Sequence, residues 1–198
     1  MRSETGLEGW DDFQPPCGLT GKAIQNGDYV VWFPYFITDK EDPFWRYNEW
    51  PMLREAFDQW EHKEAFLTRW RESMLTHIVP RVRILINRPD YLVWLAEVGG
   101  TSMIALSFLA HGFGLSIPQE SWRIFRDLVL ETPRRSGEFC LPNNWRIVVR
   151  LEENKIFVAQ EPPPTFKEGR RDRILLDQLE WEAFKNILRD VGQLLNIS

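Results

Sequence analysis

Leu115-Ser-Ile-Pro-Gln-Glu-Ser-Trp122-Arg-Ile-Phe125-Arg-Asp-Leu-Val129 and Ile174-Leu-Leu-Asp-Gln-Leu-Glu-Trp181-Glu-Ala-Phe184-Lys-Asn-Ile-Leu188 are the two stretches that decide how this chain reads. Gln119 and Gln178, Trp122 and Trp181, and Phe125 and Phe184 fall in step, with apolar residues on apolar residues to either side. The spacing is about sixty residues, the length of a supersecondary unit that needs its neighbour to complete a core. Each stretch follows a candidate hairpin, so the expected unit is a set of strands closed by a helix.

Working outward from these stretches, Val82 to Ile86 alternates as a strand, Arg88-Pro89-Asp90 turns, and Tyr91 to Val98 is a second strand. Gly99-Gly100 is a hairpin signal, and Thr101 to Leu109 follows it. A helix then opens at Pro118-Gln119-Glu120 and runs to about Leu130. After a loop from Thr132 to Asn144, Arg146 to Leu151 and Lys155 to Gln160 form another hairpin around Glu152-Glu153-Asn154. A second loop holds Pro162-Pro163-Pro164, Ile174 to Leu176 is a short strand, and Leu179 to Leu195 is the closing helix.

Toward the N-terminus, residues 1–16 read as a flexible lead-in ending in Pro15-Pro16. Asn26-Gly27-Asp28 turns into a strand over Tyr29 to Ile37, where Pro34 argues for an edge or a bulge. From about Pro51 to His77 the pattern is helical, as one long helix or two shorter ones, with Pro51 suited to the first turn. Leu53, Phe57, Trp60, Leu67 and Met74 fall near one face, and Phe66 and Trp70 lie on another. The expected class is α+β: two tandem antiparallel hairpin-plus-helix repeats preceded by a strand and a long helical segment. The organisation reads as 1–80, 81–131 and 132–198, or as one continuous domain.

Composition bounds function. With 198 residues, 43% of them hydrophobic, the chain can bury a sizeable core. Its net charge is −5, without the positive excess that announces duplex DNA or an anionic membrane. From about Glu131 onward the chain is close to neutral, so the acidity lies upstream. Nothing approaches the roughly 20 apolar residues of a membrane span, and the N-terminus lacks the apolar core of a signal peptide. Cys17 and Cys140 do not make a disulfide framework, so a reducing, cytoplasmic setting is expected.

No catalytic constellation is legible. Gly99-Gly100-Thr101-Ser102 lacks the ending of a phosphate-binding loop, and HExxH, GxSxG and paired-aspartate patterns are absent from the sequence. His62, between Glu61 and Glu64, reads as a solvated helix charge, and His111 as a satisfied, partly buried histidine. Gln14-Pro-Pro-Cys17-Gly is similar to half of a zinc knuckle. Cys17, Cys140, His62, His77 and His111 have no ligand spacing, so neither metal nor cofactor is expected.

Ten tryptophans leave aromatic side chains for recognition. Trp60, Trp122 and Trp181 sit on amphipathic helices and read as core. Trp32, Phe44, Trp45, Tyr47 and Trp50 form the segment best placed to anchor a protein partner, with Phe44-Trp45-Arg46-Tyr47 the expected exposed cluster. The one basic feature is the run Lys167-Glu-Gly-Arg170-Arg171-Asp-Arg173, with Arg134-Arg135 in the earlier loop.

Two tandem units of hairpin, further strand and closing helix, each entering its helix through Trp-x-x-Phe, resemble the Pur/Whirly/transcriptional-coactivator group of single-stranded nucleic-acid binders. Arg146-Ile-Val-Val-Arg150, Lys155-Ile-Phe-Val158, Ile174-Leu-Leu176 and Glu180-Trp-Glu-Ala-Phe184 carry the likeness in the second unit. Tyr91-Leu-Val-Trp-Leu-Ala-Glu-Val98 and Ser121-Trp-Arg-Ile-Phe125 carry it in the first, so it spans residues 82–196. The resemblance implies strand and hairpin residues that bind single strands by stacking and backbone contacts, in a chain that forms a homodimer. Two functions from different classes follow. A non-catalytic protein-interaction module, adaptor or inhibitor-like, comes first because it needs no special charge pattern. A single-stranded nucleic-acid binder using Lys155, Lys167, Arg170, Arg171 and Arg173 is the alternative.

Overall fold

Gly99 and Gly100 both adopt left-handed backbone, with φ of 57° and 81°. A two-residue hairpin demands that conformation, and residues without a β-carbon reach it without strain. They join β4 (Tyr91–Val98) to β5 (Thr101–Phe108). The computed structural model describes residues 15–25, 28–78, 82–131, 137–140, 146–152, 155–161 and 172–196. In it this hairpin is the centre of a four-stranded sheet flanked by β3 (Arg83–Asn87) and β6 (Phe113–Pro118), in the order β3-β4-β5-β6. A second sheet runs β10-β9-β8-β7, from β7 (Gly137–Cys140), β8 (Arg146–Glu152), β9 (Lys155–Glu161) and β10 (Asp172–Leu176). Its neighbours are antiparallel, with Val148 opposite Ala159 and Phe157 opposite Leu175. The fold class is α+β.

Each sheet leads directly into a helix. Gln119–Ser121 make one 3-10 turn before α3 (Trp122–Glu131). Asp177 caps α4 (Gln178–Leu194) with a reciprocal pair: its Oδ1 accepts from Glu180 N at 2.9 Å, and its own N–H donates to Glu180 Oε2 at 3.0 Å.

Four strands per sheet exceed the sequence expectation. β6 is hidden in the apolar run Met103–Ile117, and β7 lies where a loop is expected. Gly-Glu-Phe-Cys has no alternation to betray a strand, and β7 exists because β8 offers it a ladder, from Gly137↔Val149 to Cys140↔Arg146.

The N-terminal half departs further. Of the strand expected over Tyr29–Ile37, only β1 (Val30–Val31) forms, paired with β2 (Met52–Leu53). Pro51 therefore precedes β2 and does not open a helix. The helical stretch is two pieces, α1 (Arg54–Asp58) and α2 (Lys63–Ile78). On α2 the core face is the one bearing Phe66 and Trp70, both buried, while Leu67 and Met74 are half-buried.

The chain forms two compact units, Met1–Arg81 with Phe108–Phe113, and Val82–Ser107 with Gly114–Ser198. The core of the first is aromatic. Phe33 meets Phe66 edge-on at 5.0 Å and Phe57 at 5.5 Å, and Phe36 meets Trp70 at 5.1 Å. Buried Asn48 clips this core together: its Oδ1 accepts from the N–H groups of Phe36 and Ile37, and its Nδ2 donates to Ile37 O at 2.8 Å. Those backbone groups lie in loop and have no ladder partner, so the side chain does a strand's work.

In the second unit, runs of consecutive buried residues replace alternation: Ile104–Phe108 in β5, of which Ile104–Ser107 belong to this unit, and Ile156–Ala159 in β9. Sheets patterned this way are covered on both faces. α3 contacts β7 and α4, while α4 contacts β3, β9 and β10, so the helix of each sheet also reaches the first strand of the other. Tyr91, buried on β4, donates from its hydroxyl to Glu180 O on α4 at 3.4 Å, and Arg88 pairs with Asp190 at 2.9 Å.

Burial, with Asp90, Glu180 and Asp177 nearby, drives the Tyr91 hydroxyl well above the ordinary tyrosine range. A raised pKa means that the folded state keeps a proton the unfolded chain releases near pH 10. The contribution of Tyr91 is thus complete below about pH 10 and declines as pH rises beyond it. Tyr91→Phe is expected to flatten the fall in urea midpoint between about pH 10 and 12; a fall as steep as in the unaltered chain refutes the assignment.

Candidate functional site

Asp42 turns the aromatic segment inward. Its Oδ1 accepts from Phe44 N at 2.8 Å and its carbonyl from Trp45 N at 2.9 Å, which starts the 3-10 turn Trp45–Tyr47. Tyr47 is buried, its ring 4.8 Å from Trp60, and Phe44 and Trp45 are half-buried. Phe44 lies edge-on to Trp60 and to Phe66, at 5.8 Å from each. The expectation of an exposed Phe44–Tyr47 cluster is thereby corrected: a ring that can join an aromatic core gains more from leaving water than from facing it. Trp32 is half-buried and donates from Nε1 to Glu49 O at 3.0 Å. Of the five candidate residues Trp50 is the exposed one, at 43%, and Tyr29 and Tyr35 join it as exposed aromatics of this unit. Spacing gave no sign of the latter two.

Cys17 is buried in a hydrogen-bonded turn and accepts Leu53 N–H on Sγ at 3.3 Å. Burial pushes the thiol up, but hydrogen bonds from the Thr20 side chain and from the backbone at Leu53, Leu19 and Thr20 outweigh it, and the pKa falls below the ordinary value. A thiol 1% exposed is shielded from partners in solution. No group of three or more His, Cys, Asp or Glu among the described residues could hold a metal ion. His62 is exposed beside Glu61, and His111 is half-buried against Arg54, with its ring edge-on to Phe108.

On the second sheet, the register places Glu138, Val148 and Ala159 in one row and Arg150, Phe157 and Leu175 in another. Val148, Phe157 and Ala159 form a buried apolar cluster with Leu175 against it. The Arg150 guanidinium lies 4.4 Å from the Phe157 ring centre, and Arg146 bridges Glu161 at 2.5 Å and Glu138 at 3.4 Å. Lys155 is exposed at the start of β9. The main chain of Arg173 pairs with Ala159 in β10; Lys167, Arg170 and Arg171, like the lead-in 1–14, lie outside the described residues.

Sequence reasoning passed over a polar groove. Gly100, Thr101 and Ser102 at the β4–β5 tip and Gln119 and Glu120 before α3 line a space of about 540 Å3. Ser102 Oγ donates to Gln119 Oε1 at 3.0 Å across it. A contact between residues so far apart in the chain leaves no periodic trace.

Charge is segregated. Val82–Ser107 with Gly114–Ser198 hold equal numbers of cationic and anionic residues, so the entire net charge of −5 resides in the other unit. No described helix is long and apolar enough to cross a membrane. Comparison with known proteins returns no matching family model and no curated relative.

Proposed function

We propose that this chain is a non-catalytic single-stranded nucleic-acid-binding protein whose second unit is a tandem pair of Pur/Whirly-like modules. One observation carries the reading. Two four-stranded sheets each run into a helix that opens on a buried tryptophan, and the Trp122–Phe125 and Trp181–Phe184 ring pairs stand at 5.7 Å and 57° and at 5.7 Å and 58°. Fold likeness alone transfers no activity without a site. The candidate contacts are the exposed cations Arg83, Arg123 and Lys155, joined by Lys167, Arg170, Arg171 and Arg173 of the basic run. The electroneutrality of this unit supports the reading, because the acidic excess sits elsewhere in the chain. Two free thiols, Cys17 and Cys140, fit a reducing cytoplasmic setting.

The test is fluorescence anisotropy with a labelled thymidine 20-mer. Binding is expected at low salt, weakening as salt rises with a log–log slope of about −2 for about three phosphate contacts. Folded protein that leaves the anisotropy unchanged at 20 mM salt sinks the proposal.

A second reading, a protein-interaction surface on the acidic unit, is favoured by the exposure of Tyr29, Tyr35 and Trp50. A Tyr35→Ser/Trp50→Ser variant is expected to lose partners that co-purify with the unaltered chain. Retention of the same partners removes this reading.

A further inference from the structure

The groove beside the β4–β5 tip has a size suited to a small polar ligand, within the roughly 300–1,000 Å3 of small-molecule sites. Its lining combines two hydroxyls, an amide and a carboxylate, and the described lining residues include neither a cation nor a large apolar side chain. A phosphate would meet Glu120 as a like charge, with no cation among the described lining residues to offset it. A neutral planar group rich in N–H would find several acceptors.

The geometry narrows the class of ligand. The Ser102–Gln119 hydrogen bond ties the hairpin to the turn before α3 and occupies Gln119 Oε1, which leaves the amide Nε2 to donate. Exposed Glu120 presents two carboxylate oxygens, which accept two parallel N–H bonds from a planar fork. Among the four DNA bases, guanine alone carries two adjacent N–H groups on its pairing edge, at N1 and N2. Single strands expose that edge to side chains. Arg123, exposed and three residues past Glu120, stands at helical spacing to take the adjoining phosphate.

We infer that this groove seats one guanine of a bound single strand, with Glu120 accepting from N1–H and N2–H, an assignment that rests on the nucleic-acid reading above. The matching position of the second module is Leu179, exposed at 82%, which offers no carboxylate for an equivalent seat there.

The experiment compares a labelled thymidine 15-mer with the same strand carrying one central guanine. Guanine is expected to tighten binding about tenfold, the discrimination of one bidentate pair. Hypoxanthine in its place, which lacks the 2-amino group, falls back toward the thymine value, and Glu120→Gln brings the guanine-to-thymine ratio close to one. In parallel, free guanosine is titrated against the unaltered protein, with the amide NMR signals of Thr101, Ser102 and Gln119 as readout. Oligonucleotide binding with a ratio of one overturns the guanine seat and leaves the nucleic-acid reading standing. Guanosine shifts without oligonucleotide binding uphold the seat and overturn that reading. Silence in both assays ends both.

Discussion

Trp122→Ala and Trp181→Ala are each expected to cost about 3–5 kcal/mol of unfolding free energy, and by similar amounts. Both side chains are buried, at 0% and 1% exposure, on the first turn of their helices. Each indole packs on the phenyl ring three residues later at nearly the same distance and angle. Neither indole N–H finds an acceptor among the described residues, so truncation removes packing without stranding a hydrogen-bond partner. Total stabilities of about 5–15 kcal/mol make either loss a large fraction of the whole. Urea denaturation measures it. A cost below about 1 kcal/mol for one variant beside a full loss for the other breaks the proposed equivalence of the two modules.

Gly112→Ala is expected to cost about 3 kcal/mol or more, from two separable sources. Gly112 sits at φ 60°, and a β-carbon there would lie 2.1 Å from Trp32 O and 3.3 Å from a Phe33 ring carbon. The obstructing atom is backbone, in the residue that follows β1, so no rotamer change relieves it. Gly21 is the internal control: its φ is 68°, and a β-carbon would meet nothing within 4 Å. Gly21→Ala thus reads the backbone strain alone, at about 1 kcal/mol, and the difference between the variants is the clash. Equal urea midpoints for the two would show that Phe108–Phe113 does not press on Trp32 as described.

Gly112 also shows why the domain organisation was hard to read from the chain. Phe108 and Leu109 continue an apolar strand pattern, and nothing in their spacing says that the chain leaves one compact unit at Ser107 and returns to it at Gly114. The excursion is held by contacts distant in sequence, such as Arg54 against His111. The aromatic segment was opaque for a related reason. A tryptophan or tyrosine in a loop reads the same whether it faces solvent or a core, and Asp42 and Asn48 decide the matter by hydrogen-bonding backbone that belongs to no ladder.

Sequence alone determined the elements whose signals are local: the Gly99-Gly100 hairpin, the amphipathic faces of α3 and α4, and the in-step tryptophans. Periodicity and turn chemistry act over a few residues and can be read a few residues at a time. Tertiary structure decided what depends on a distant partner: the pairing of β7 with β8, the inward turn of Tyr47, and the groove closed by Ser102 and Gln119. The physical reason is that burial and hydrogen-bond satisfaction are settled over the whole fold, where a neighbour in space supplies what the neighbours in sequence lack.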